Sequence, residues 1–134
     1  MSEYQLQTPR GGDEQPERRV LVVDDDPSIQ GFLAEALTDE GYGVRTAANG
    51  REALAVLAGW LPDLILLDLM MPEMDGWAFR AEQRATPSMA HVPVIVFSAT
   101  RDLVSKAQAL EPAHVFAKPF DLEALLGTIE RLIE

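Results

Sequence analysis

The chain predicts an α/β domain, a parallel sheet with helices on both faces. Short apolar runs recur from residue 19 onward, each separated from the next by a stretch of amphipathic helical spacing. The runs have the length and the β-branched content of buried strands rather than of helices. Helix-initiating residues follow several of them, so the order reads strand, helix, strand throughout.

The elements follow in that order. Val20-Leu21-Val22-Val23 is the first strand. Asp26 then offers an N-cap side chain and Pro27 a pre-set first helical residue. Ile29, Phe32, Leu33, Ala36 and Leu37 recur at helical spacing, and Gly41 closes that helix. Val44 to Ala47 is a weaker second strand. Asn49, with Glu52 three residues on, is close to a capping box for the second helix. Leu64 to Leu67 is the third strand, and a helix is expected to begin near Gly76-Trp77. Val92 to Phe97 reads as the fourth strand, with a helix near Asp102 to Leu110. Val115 to Ala117 is a short fifth strand. A last helix from Asp121 is expected to bury Leu122, Leu125, Leu126, Ile129, Leu132 and Ile133. Residues 1–18 are polar, lack apolar periodicity and read as a disordered tail before a single domain over 19–134.

Composition narrows the function. The 134 residues suffice for one domain that buries about two-thirds of its unfolded surface. Cysteine is absent, which excludes disulfides, thiolate catalysis and cysteine metal sites. A net charge of −11 argues against nucleic-acid binding, which requires displacing cations from phosphates. No apolar stretch is long enough to span a bilayer, and the N-terminus has no signal-type core, so the cytoplasm is the expected location.

Polar residues collect where strands end. Asp24, Asp25 and Asp26 follow the first strand, Asp68 ends the third, Ser98 the fourth and Lys118 the fifth. In open parallel sheets ligands bind at those carboxyl ends. Asp68 leaves a strand too apolar to hold a bare carboxylate without compensation. Further acids beside it make sense around a divalent cation, and Mg²⁺ takes one or two carboxylates together with waters and phosphate oxygens. Lys118 supplies a compact cation and Ser98 a hydroxyl, both suited to phosphoryl oxygens. A carboxylate can itself attack phosphorus to form an aspartyl phosphate. Asp26 is better read as the helix cap. His91 and His114 have no metal-ligand spacing, and Trp60 and Trp77 read as packing residues.

Residues 19–134 resemble the response-regulator receiver domain of two-component signalling, of the stand-alone chemotaxis-regulator type. The resemblance rests on Val20-Leu21-Val22-Val23-Asp24-Asp25-Asp26-Pro27, Asp68-Leu69-Met70-Met71-Pro72-Glu73-Met74-Asp75-Gly76, Phe97-Ser98-Ala99 and Ala117-Lys118-Pro119-Phe120, in that order. It implies a flavodoxin-like (βα)5 sheet with strand order 2-1-3-4-5. It implies that Asp68 accepts a phosphoryl group from a sensor histidine kinase or phosphotransfer protein. Mg²⁺ would be bound by Asp25, Asp68 and the backbone carbonyl of Met70, with Asp24 assisting. Ser98 and Lys118 would bind the phosphoryl oxygens, and Lys118-Pro119 would be a cis peptide.

Two departures from the family pattern bear on output. The aromatic or histidine usual three residues before the lysine is Val115 here, which leaves Phe116, His114 or Ser98 with the backbone to carry any switch. The segment Ala109 to His114 is about two residues shorter than usual and lacks a glycine, and Pro112 should end the fourth helix early. Because receivers often pair through this surface, a homodimer is left open. Met70 and Thr100 flank the acceptor and bear on how fast water removes the phosphoryl group.

The expected function is therefore a phosphorylation-controlled module with no catalytic output of its own. No DNA-binding segment follows Glu134, so output is expected through an as yet unnamed protein target, or through a part of a longer protein. One alternative is a degenerate receiver acting as a scaffold. Another is a small phosphatase of the haloacid-dehalogenase type, with Asp24-Asp25-Asp26-Pro27-Ser28 as its nucleophile loop. That enzyme needs an acidic pair after the lysine, and only Asp121 and Glu123 are at hand.

Overall fold

In a computed structural model, which describes residues 17–99 and 105–133, five strands form one parallel sheet. They are β1 (Arg19–Val23), β2 (Gly43–Ala47), β3 (Leu64–Asp68), β4 (Val94–Ser98) and β5 (His114–Ala117). Their order is β2-β1-β3-β4-β5, every neighbour parallel. The long helices are α1 (Pro27–Asp39), α2 (Gly50–Leu57), α3 (Gly76–Ala85) and α5 (Leu122–Ile133). Residues 105–107, here α4, are helical and run into a 3-10 turn at Gln108–Leu110. Residues 1–16, Thr100 and Asp102 lie outside the described residues, and with them most of the expected tail and the start of the fourth helix.

Burial on both faces explains the uninterrupted apolar strands. Leu21, Val23, Ile65, Leu67, Val94 and Val96 pack beneath Ala53 and Leu57 of α2 and Phe79 of α3. Val20, Val22, Leu64, Leu66, Ile95 and Phe97 pack on the other face beneath Leu33 and Leu37 of α1 and Leu125, Ile129 and Ile133 of α5. The period of two along a strand divides each run between these cores.

The caps are as the residues suggest. The Asp26 carboxylate accepts from Ser28 N at 2.9 Å. Asn49 Oδ1 accepts from Glu52 N at 2.9 Å, while Glu52 reaches back to Ala48 N at 2.8 Å, one residue before the cap. Gly41 sits at φ +96°, past the end of α1, where a left-handed residue turns the chain into β2.

Two expectations need correction. β4 begins at Val94 rather than Val92, because Val92 N is committed to the carbonyl of Met89 and Pro93 has no N–H for the ladder. Leu132 is 38% exposed and does not belong to the core, and Phe32 on α1 is likewise exposed. Phe32 falls at the margin of the apolar stripe of α1, and Leu132 lies in the last turn of α5. Thr128 is buried in α5 instead, its hydroxyl donating to the carbonyl of Ala124.

The short connection before β5 is held from α3. Arg80, buried, donates to the carbonyls of Leu110 at 3.0 Å and Glu111 at 3.1 Å and to Gln83 Oε1 at 2.6 Å. Gln83 in turn donates to the carbonyls of Met89 and Val92. Burial, then the neighbouring Arg84, lowers the Arg80 pKa, with Glu111 opposing. Glu111 takes the left-handed conformation, φ +53°, and its carboxylate pairs with Arg84 at 2.8 Å. The connection thus turns without a glycine because two arginines hold it in the less favoured backbone region.

Candidate functional site

The carboxyl ends of β1, β3, β4 and β5 bring Asp24, Asp68, Ser98 and Lys118 to one rim of the sheet. Asp24, Asp68 and Ser98 are all buried, while Asp25 is exposed at the lip. One carboxylate oxygen from each of Asp24, Asp25 and Asp68 lies within 4.8 Å of the others. Lys118 Nζ bridges two of these acids, 3.1 Å from Asp24 Oδ2 and 3.7 Å from Asp68 Oδ1. The peptide bond Lys118-Pro119 is cis, and Lys118 N donates to the carbonyl of Ser98 at 2.8 Å.

Electrostatics follow from this crowding. The pKa of Asp68 is raised from 3.8 to about 6, first by burial and then by the neighbouring Asp24. Lys118 and a hydrogen bond from Met70 N oppose the rise, and Asp25 adds to it. That hydrogen bond is long, 3.4 Å to Asp68 Oδ1, so it offers little relief. Three carboxylates face one ammonium, and the residual negative charge is presented by oxygen atoms. This donor set suits a hard divalent cation, with Asp25, Asp68 and Asp24 as the available ligands. Met70 is largely exposed at the same rim, next to Asp68 in the chain.

Of the residues singled out as switch elements, Val115 packs with the core beneath α2 and α3. Phe116 packs with the core beneath α1 and α5. The two therefore stand on opposite faces of β5.

One residue that shapes the site carries no sequence signal. Gln30, in the second turn of α1, donates through Nε2 to the carbonyls of Asp24 and, at 3.2 Å, of Ala47. Asp24 Oδ1 meanwhile accepts from Asp26 N at 2.9 Å. The acidic turn is thus held from both its backbone and its side chain. Gln30→Leu is expected to destabilise the protein by about 1–3 kcal/mol, because the Asp24 carbonyl loses its side-chain donor in a half-buried place. Urea unfolding measures this, and an unchanged midpoint would count against the clamp.

Similarity to known proteins agrees with the geometry. The model of the response regulator receiver domain matches residues 20–130. The chain is 40% identical over 118 residues to response regulator MprA of Mycolicibacterium vanbaalenii, covering 86% of this chain and 50% of that protein. The chain thus spans about half the length of this curated relative. Among solved structures, chemotaxis response regulator CheY4 of Vibrio cholerae is 34% identical with a TM-score of 0.80, over 87% of this chain and 99% of that one. Response regulator TrrA of Thermotoga maritima, solved in complex with Mg(2+)-BeF, is 32% identical with a TM-score of 0.76, over 86% and 98%. With strand order, acidic rim and bridging lysine in agreement, the chain belongs to the response regulator receiver domain family of two-component signalling.

Proposed function

We propose that Asp68 is the phosphoacceptor of this receiver and takes its phosphoryl group from a histidine of a sensor kinase or phosphotransfer protein in the cytoplasm. The observation that carries this reading is the placement of Asp68, a buried carboxylate beside two further acids and 3.7 Å from a lysine ammonium. One carboxylate oxygen of Asp68 attacks phosphorus. The P–O bond forms as the P–N bond breaks, and the imidazole leaves with the electron pair. Lys118 and the Ser98 hydroxyl receive the phosphoryl oxygens. Asp25, Asp68, Asp24 and the backbone carbonyl of Met70 would hold Mg²⁺, which when bound supplies the neutralising charge that phosphoryl transfer depends on.

Asp68 is an acceptor rather than an enzyme's turnover nucleophile on this reading. Its modified form biases a two-state surface, and output passes to a protein target. TrrA, 32% identical to this chain and solved in complex with Mg(2+)-BeF, supports the same ligand chemistry. Intact-mass spectrometry after acetyl phosphate and Mg²⁺ tests the proposal. Wild type should gain one phosphoryl group and Asp68→Asn none. Labelling that maps to Asp24 would favour a phosphatase-type nucleophile. No gain while Mg²⁺ is bound would leave a scaffold as the better reading.

A further inference from the structure

Aromatic rings form a continuous run from the site to the surface, all on the α1/α5 side of the sheet. Phe97 is the register partner of Asp68 across β3 and β4. Its ring stacks on Phe120, with centroids 4.8 Å apart and planes at 11°. Phe120 meets Phe116 at 6.3 Å, and Phe116 meets His114 at 4.6 Å. Phe120 lies two residues beyond Lys118, the residue whose ammonium bridges Asp24 and Asp68. The run is therefore tied to the site at two points, through the sheet at Phe97 and through the chain at Lys118.

The run also opens onto a cavity. Lys118, Pro119, Phe120 and Leu122 face Ser28, Ile29 and Phe32 of α1 across a groove of about 490 Å³. The opposite face offers no such route along β5, since Val115, the residue pointing that way, has a small aliphatic side chain and β5 holds its rings on the other side.

We propose that modification of Asp68 is transmitted along Lys118-Pro119-Phe120 and the Phe97–Phe120–Phe116 stack, and that it remodels the groove between α1 and the start of α5. The inference rests on Asp68 being the acceptor. A phosphoryl group brings added negative charge and new acceptor oxygens. Lys118, now shared between Asp24 and Asp68, is drawn toward them and takes the backbone of Pro119 and Phe120 with it. Phe97 is fully buried in the central sheet and cannot follow, whereas Phe120 is only half-buried. The stack therefore slides at Phe120, and the groove wall moves with it.

The chain has five phenylalanines, which makes fluorine NMR of fluorophenylalanine-labelled protein a direct test. Single Phe→Leu variants assign the signals. Mg²⁺ and beryllium fluoride mimic the modified acceptor, and the bound fluoride signals report occupancy independently. Phe120, Phe116 and Phe32 should shift on occupancy while Phe79, on α3 at the opposite face, stays in place. In Phe120→Leu the bound fluoride should persist and the Phe32 shift should vanish. With bound fluoride present, a still Phe32, or a Phe79 shift as large as that of Phe32, overturns the inference. Absence of bound fluoride in wild type fails the acceptor reading itself, and this inference falls with it.

Discussion

Gly76→Ala is expected to destabilise the protein by about 3 kcal/mol, the upper end for overpacking a close-packed region. A Cβ built at Gly76 would stand 2.6 Å from the carbonyl oxygen of Asp68 and 2.8 Å from Cα of Leu69. Both are backbone atoms of the turn that carries the proposed acceptor, so no side chain can swing away to make room. Gly76 N also donates to the carbonyl of Leu69 at 3.0 Å, which fixes the start of α3 against that turn. The damage should therefore reach function as well as stability. The urea midpoint should fall and Mg²⁺ affinity should fall with it. Gly31→Ala is the matching control, because nothing lies within 4 Å of its added Cβ in the middle of α1. It should gain about 0.5–1 kcal/mol from helix propensity. Equal stability of Gly76→Ala and wild type would show that the approach of α3 to the β3 turn is looser than described.

Asp68→Asn is expected to stabilise the metal-free protein at neutral pH, although it removes the proposed acceptor. The raised pKa means that the folded state binds the Asp68 proton more tightly than the unfolded chain does. The ionised carboxylate then opposes folding. That penalty is absent below pH 3.8, grows between 3.8 and about 6, and is complete above 6. A rise from 3.8 to about 6 corresponds to a ceiling of about 3 kcal/mol at 1.36 kcal/mol for each pH unit. A gain of about 1–3 kcal/mol is the expected range, since asparagine forgoes the attraction of Lys118. Chemical unfolding in chelator at pH 7.5 and pH 4 checks both the sign and the window. The gain should shrink at the lower pH. Saturating Mg²⁺ should also narrow the difference at pH 7.5, because a cation bound to the native acids stabilises the wild type by mass action. A variant less stable than wild type at pH 7.5 without metal would mean that Lys118 outweighs burial.

Much of this was legible in the residues, for reasons that are local. β1 and β3 read clearly because a strand covered on both faces has no polar position to confuse it. The caps at Asp26 and Asn49 read clearly because their partners lie within three residues. The rim read clearly because the ends of β1, β3, β4 and β5 are each marked by a polar residue of their own. The order that brings those ends together came from resemblance, since spacing alone does not rank strands across a sheet. Arg80 and Gln83 were missed for the converse reason. Their residue types suggest solvent, and the carbonyls that bury them lie up to 31 residues away in the chain. Gln30 likewise has one acceptor 17 residues away, across the sheet edge. Leu132 misled because an apolar residue in the last turn of a helix looks the same in sequence whether or not anything covers it.

The clasp made by Arg80 has a consequence for the lineage of this chain. A single guanidinium grips the carbonyls of two successive residues, Leu110 and Glu111, and so acts as a gauge of the distance from α3 to β5. An insertion on the β5 side of Glu111 can bulge outward unnoticed. One between the α4 segment and Leu110 moves those two carbonyls out of line and leaves the buried guanidinium with Gln83 Oε1 alone. The spacing from the α4 segment to Leu110 and the arginine are thus a matched pair, and length changes in that stretch should be found only alongside changes at position 80.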